Sequence, residues 1–158
     1  MKRIALAMAA LALGATGAAP ELAAQEISGG GYAAYMQTGA NSVDLADGGT
    51  RVDQTLDGYV MTDDPDNPFH LTAQDCASTD LMNADGSLQR SSGYCASRDS
   101  EGDMYWIWFW NAPEESQWGL IGGTGKFEGI TGGGTSEAVA ADPDGRFVVL
   151  WEGTWTMQ

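Results

Sequence analysis

The sequence predicts an all-β protein, a single eight-stranded antiparallel barrel, on three observations. Short runs rich in Tyr, Val, Thr, Trp and Phe alternate with turn clusters, and no run keeps a helical period. These runs number eight, the count at which a closed sheet is just wide enough for side chains or one small ligand. The stretch 122–134 has seven glycines in thirteen residues, a density that marks backbone turning with positive φ or passing close to other backbone.

The chain begins with Met1-Lys2-Arg3 and an apolar run from Ile4 to Ala15, followed by small residues. This is the layout of a signal peptide, with cleavage expected after Ala24, or after Ala19 as second choice. The run is too short to span a bilayer, no later stretch is suited to a membrane span, and no Cys stands at the junction to carry a lipid. The expected division is therefore a signal peptide, 1–24, and one barrel domain, 25–158, in a periplasmic or secreted protein. Removing residues 1–24 leaves five Lys or Arg against 21 Asp or Glu, a net charge of −16, with Lys126 the one lysine. Such a surface repels phosphates, which excludes nucleic acid as a partner.

Strands are expected near 30–38, 50–61, 69–82, 87–98, 104–111, 116–121, 132–141 and 146–157. Turns are expected at Asp85-Gly86, Glu101-Gly102-Asp103 and Asp142-Pro143-Asp144-Gly145. The run Asp63-Asp64-Pro65-Asp66-Asn67-Pro68 reads as a longer acidic loop, because its prolines stop any ladder. Two cysteines in an exported chain read as one disulfide. A two-residue turn at Asp85-Gly86 puts Cys76 directly opposite Cys95, at a hydrogen-bonded pair if alternation is strict.

A four-residue loop at Ser100–Asp103 would then set Trp108 beside Cys95. In that register one face carries Gln74, Cys76, Ser91, Cys95 and Ser97 with Trp106, Trp108 and Trp110. The other carries Phe69, Leu71, Asp75, Tyr94, Arg98, Tyr105, Ile107 and Phe109 and, being more apolar, is expected to be the lumen. A strand apolar on both faces needs cover on both, so the tryptophans call for segment 28–38, a second subunit or an apolar partner outside them. In the last hairpin Ser136, Ala138 and Ala140 would oppose Trp151, Val149 and Phe147, small against large as in a narrow barrel.

The glycine stretch fails three nucleotide or metal motifs on its residues. Leu120 and Phe127 stand where a Walker loop needs Gly and Ser or Thr, Glu128 where a Rossmann fingerprint needs Gly, and Lys126 where a calcium nonapeptide needs Asp. Gly122-Gly123-Thr124-Gly125-Lys126-Phe127, followed after one residue by Gly129-Ile130-Thr131-Gly132, resembles the glycine-rich corner of the allene oxide cyclase/dirigent-type β-barrel proteins. It is most similar to their small exported bacterial members of unassigned role. The resemblance implies a structural corner at Gly122, Gly123, Gly125, Phe127, Gly129 and Gly132, and a homo-oligomer, trimer or dimer. It also implies an apolar cavity holding a few mixed polar groups.

No nucleophile–base pair is visible, since His70 is the one histidine and reads as a satisfied loop residue. The clusters Asp63-Asp64-Asp66-Asn67 and Asp99-Glu101-Asp103 offer oxygen ligands but lack the EF-hand spacing, and read as solvated turns. No metal or cofactor is implied. Asp75, Tyr94 and Arg98 fall together on the expected lumen face and are the candidate ligand-binding residues; a buried pair fixing register is their structural alternative. Three functions follow: a module binding a small apolar or amphipathic molecule, a cofactor-free cyclase or isomerase, and an envelope protein with a filled lumen. A cavity of roughly 300 Å³ with convergent polar groups separates the first two from the third.

Overall fold

The computed structural model describes residues 25–157, so the expected signal peptide lies outside the described residues. The strands are β1 (Gln25–Asp44), β2 (Thr50–Thr62), β3 (Ala73–Met82), β4 (Leu88–Arg98), β5 (Met104–Ala112), β6 (Glu115–Gly123), β7 (Thr131–Ala141) and β8 (Arg146–Met157). Each pairs with its sequence neighbour, and β8 returns to β1 from Gln25↔Met157 to Met36↔Arg146, closing an antiparallel barrel. Closure leaves no free sheet edge, which suits a chain with such long strands.

The seams are unequal. β1 and β2 pair from Gly31↔Thr62 to Asp44↔Thr50, with one irregularity at Gln37/Gly39. By contrast β6 and β7 pair only at Gln117↔Thr135, Trp118↔Gly134 and Gly119↔Gly133. Beyond that point the glycine corner separates the two strands and folds inward. Gly125 has φ 55, and a Cβ there would lie 1.9 Å from Asp103 Oδ1, so no other residue fits. The short 3₁₀ turn Gly125–Phe127 then swings Phe127 and Ile130 into the barrel, where they are 0% and 1% exposed. Lys126 pins the corner from outside: its ammonium pairs with Asp99 at 2.6 Å and its backbone N–H donates to Asp103 at 3.0 Å.

The aromatic core sits at this end, the base. Phe69 lies 4.8 Å from Tyr105 and 4.8 Å from Trp155 between ring centroids, with Phe127 stacked at 6.0 Å and Trp151 edge-on at 6.2 Å. Phe69 does not lie in a strand, as its segment was expected to; residues 63–72 form a loop that turns it inward. Leu71, at φ 57, carries the backbone reversal, and its N–H donates to the Val60 carbonyl at 2.8 Å. His70 is satisfied there, its Nδ1 accepting from the Thr62 N–H at 3.2 Å and lying 2.8 Å from the Thr62 hydroxyl.

Cys76 and Cys95 are bonded, and they face each other in the expected register. Their Cα atoms are 4.0 Å apart, the close spacing of a non-hydrogen-bonded pair, not the wide pair expected. The cause is a five-residue loop, Asn83 to Ser87, compensated by a bulge at Leu81/Met82. The last hairpin keeps Ser136↔Trp151 and Ala138↔Val149, but a bulge then sets Ala140 against Val148 and Ala141 against Phe147.

A larger correction concerns the faces. The loop between β4 and β5 has five residues, closed by Asp99 N–H donating to the Asp103 carbonyl at 3.0 Å. Cys95 therefore pairs with Ile107 and Tyr94 with Trp108. The lumen is lined by Gln74, Cys76, Ser78, Asp80, Ser91 and Cys95 together with Tyr105, Ile107 and Phe109. The inward assignment of β5 holds, whereas that of β3 and β4 is reversed. Asp75, Tyr94 and Arg98 stand outside, Tyr94 being 65% exposed. Trp106, Trp108 and Trp110 are on the outer side, as expected, with Trp108 lying flat where Gly119 leaves room for its ring. Residues 28–38 do not cover them, because they are wall residues of β1.

Candidate functional site: the barrel lumen

Above the aromatic base the barrel encloses a cavity of about 430 Å³ that opens among the hairpin turns at the other end. Its walls are mainly apolar: Leu56, Val60, Ile107, Phe109, Phe147, Val149 and the Cys76–Cys95 disulfide. Small residues such as Ala33 and Ala138 leave the space that larger ones would fill. Phe69 and Trp151 form the floor, and Phe147 stands in the wall, stacked on Tyr35 at 5.2 Å.

Polar groups interrupt this surface at different depths, among them Asn111 and Ser136 joined through the Ser116 hydroxyl. Near the floor, the Tyr35 hydroxyl donates to Gln74 Oε1. Gln74 Nε2 donates to Ser97 Oγ at 2.8 Å, and the Tyr105 hydroxyl lies 2.8 Å from Thr72 Oγ1. Burial, with Tyr105 beside it, pushes the Tyr35 phenol far above its ordinary value. Burial raises Tyr105 as well, against the opposing hydrogen bonds of Thr72, Ser97 and Gln74. Both phenols are thus held protonated at neutral pH, as donors and not as bases.

Nearer the mouth, Gln37 Nε2 donates to Gln54 Oε1 at 2.6 Å, and Gln54 Nε2 donates to Asp80 Oδ2 at 2.8 Å. Burial raises the Asp80 carboxyl above its usual range, with Ser91 and Gln54 opposing the shift. Ser91 lies directly opposite across the strands, close enough to oppose that shift, while Oδ1 itself is buried with no hydrogen-bond partner. Ser78 Oγ and Trp151 Nε1 are likewise buried and unpaired, and all three residues line the cavity. Unpaired buried polar atoms of this kind are uncommon in folded proteins and cost about 1–3 kcal/mol each.

Asp75, Tyr94 and Arg98 are brought together as the register predicts: Asp75 lies opposite Ala96, between the positions of the other two. They do so on the outside of the barrel, away from the cavity. The residues that line it, Tyr35, Gln37, Gln54, Gln74, Ser78 and Asp80, were not singled out by sequence. One signal for half of them was present: Gln74, Ser78 and Asp80 share the face of Cys76, and cystine is among the most buried of residues.

The carboxylates of Asp99, Glu101 and Asp103 converge within 4.8 Å. Three of their oxygens are already engaged: Asp99 Oδ1 accepts from the N–H groups of Glu101 and Asp103, while Asp99 Oδ2 and Asp103 Oδ2 hold Lys126. This is a turn pinned to the glycine corner. No helix among the described residues is long and apolar enough to cross a membrane.

No protein-family model matches the chain, and no curated protein matches it. Solved structures do. The pterocarpan synthase dirigent protein GePTS1 aligns with a TM-score of 0.53 at 16% identity, covering 96% of this chain and 99% of its own. The pterocarpan synthase dirigent protein PsPTS1 aligns at 0.52 and 16% identity, covering 84% and 96%. At this identity the likeness is one of fold, and the fold is that of the dirigent-type eight-stranded antiparallel barrel.

Proposed function

We propose that this is an exported binding protein whose barrel holds a small apolar or amphipathic molecule. The observation that carries the reading is the cavity: about 430 Å³, apolar-walled, floored by aromatics and interrupted by polar groups at separate depths. That volume lies within the range of small-molecule sites, and the wall-to-polar proportion is theirs too. The lysine-arginine start, the apolar run after it and a disulfide all suit an oxidising compartment outside the cytoplasm. A filled lumen, the mark of a purely structural envelope protein, does not describe this barrel.

A second reading has one observation in its favour, the likeness to proteins described as pterocarpan synthases. Under it the barrel holds a reactive substrate in one geometry, as a cofactor-free cyclase or isomerase. Proximity and shape would supply most of the rate effect, with the protonated Tyr35 and Tyr105 orienting the substrate.

Native mass spectrometry of protein purified gently from its source tests the binding reading. A mass above that of the chain, lost on denaturation, is the expected result, and the same spectrum counts subunits. Ala138→Trp, which fills the upper lumen, should abolish that retained mass in protein whose disulfide and circular dichroism are unchanged. If the filled variant keeps the ligand, the lumen is not the site.

A further inference from the structure

Granting that the lumen binds a ligand, its charged groups say what kind of head group it accepts. Among the described residues there are five cations, and none is free inside the cavity. Arg51, Arg90 and Arg98 are on exposed positions of the outer wall, and Lys126 is at the base, paired with Asp99. Arg146 reaches the rim but is held by Asp142 at 2.8 Å and Asp144 at 3.0 Å. Below the rim pair of Arg146 and Asp142, Asp80 is set into the upper wall, with Oδ2 satisfied by Gln54 and Oδ1 unpaired. Two residues along the same face of β3, Ser78 Oγ is unpaired as well. An unpaired acceptor beside an unpaired hydroxyl is a recess for a group that donates hydrogen bonds. A carboxylate placed there would meet Asp80 with no counter-ion, and removing it from water would be uncompensated.

We propose that the cavity takes amphiphiles whose polar end is a hydrogen-bond donor, a hydroxyl or an amine, and refuses carboxylates. The head group donates to Asp80 Oδ1 and is braced by Ser78 Oγ, while the apolar body lies along Leu56, Ile107 and Phe109 towards the floor. The barrel is thereby distinguished from a carrier of fatty acids, which needs a cation where Asp80 stands.

The test uses mature protein, the uncharged dye N-phenyl-1-naphthylamine, and three competitors with one chain length: 1-decanol, decylamine and decanoate. Displacement at pH 7.5 should show decanol and decylamine binding at least about tenfold tighter than decanoate, a difference of about 1.4 kcal/mol. Because the whole chain is acidic, the decisive comparison is between two variants with the same change in net charge. Asp80→Asn should shrink the decanol-to-decanoate ratio severalfold, whereas Asp66→Asn, on the exposed acidic loop, should leave it alone. Ser78→Ala should weaken decanol more than decanoate, which keeps the test open if Asp80→Asn folds poorly. Equal binding of the three competitors, or an equal effect of the two Asp→Asn changes, overturns the proposal while leaving lumen binding intact. If the dye itself does not bind, the broader reading fails instead.

Discussion

At the base of the barrel the connections 63–72 and 124–130 fold inward, whereas at the mouth four hairpin turns of two to five residues stay at the rim. The base connections deliver Phe69, Phe127 and Ile130 into the aromatic core, and each of these is at most 3% exposed. The mouth turns deliver Asp carboxylates that cap their own backbone, such as Asp142 to the N–H groups of Asp144 and Arg146. A tight turn is satisfied locally and has no chain to spare for filling a tube. The two connections longer than five residues are both at the base, and it is these that make one end of this cylinder a floor and leave the other an entrance.

The contrast can be broken first at the floor. Phe69→Ala or Phe127→Ala should cost about 3–5 kcal/mol, since each leaves a cavity among rings that cannot collapse. Leu88→Ala, at the half-buried rim, should cost about 1 kcal/mol, because solvent already reaches it. Urea denaturation of the three variants measures both, and equal losses at floor and rim would refute the division.

Midway between the ends, the Cys76–Cys95 bond closes a loop with a separation of 19 residues. Its loss, in a Cys76→Ala/Cys95→Ala variant, should cost about 3 kcal/mol on the chain-entropy estimate. The measurement is the urea midpoint against wild type, and a change near zero would show that the unfolded chain is already constrained there.

The smallest effect concerns charge. Burial raises Asp80 in the folded protein, so its favourable contribution is present below the unfolded carboxylate value and is lost as pH rises through the folded one. The turn acids behave oppositely. Hydrogen bonds from Ser87 lower Asp85, and those from Arg146 lower Asp142, so their contribution is present at neutral pH and lost in acid. Asp80→Asn should therefore match wild type near pH 3.5 and gain on it towards about pH 7, across the ordinary carboxylate range. A variant that falls behind as pH rises would mean that ionised Asp80 is stabilising.

Strand number, closure, the disulfide and most strand limits were legible in the sequence, because each rests on local pattern or on a turn whose residues fix its geometry. The face of β3 and β4 was not. Whether Asp99 ends β4 or begins the turn is invisible in Asp99-Ser100-Glu101-Gly102-Asp103, and one residue there reverses β3 and β4 relative to β5. The error joined the true lumen residues Gln74, Cys76 and Cys95 to the exterior tryptophans, and the apolar count then chose the wrong side. The inward path of Phe69 was hidden for a related reason. It depends on a left-handed Leu71, a conformation that leucine does not advertise.

The short β6–β7 seam leaves one side of the cylinder with the least backbone pairing. Only Gln117 to Gly119 and Gly133 to Thr135 are fastened there, four of these six positions being Gly or Thr, and the wall is otherwise shut by the Trp118 ring. That ring donates through Nε1 to the carbonyls of Thr135 and Glu152, so one side chain does the work of the missing rungs. The same ring is buried edge-on against Trp151 at 5.7 Å, so where the backbone ladder is shortest the wall is held by side-chain packing and not by strand pairing.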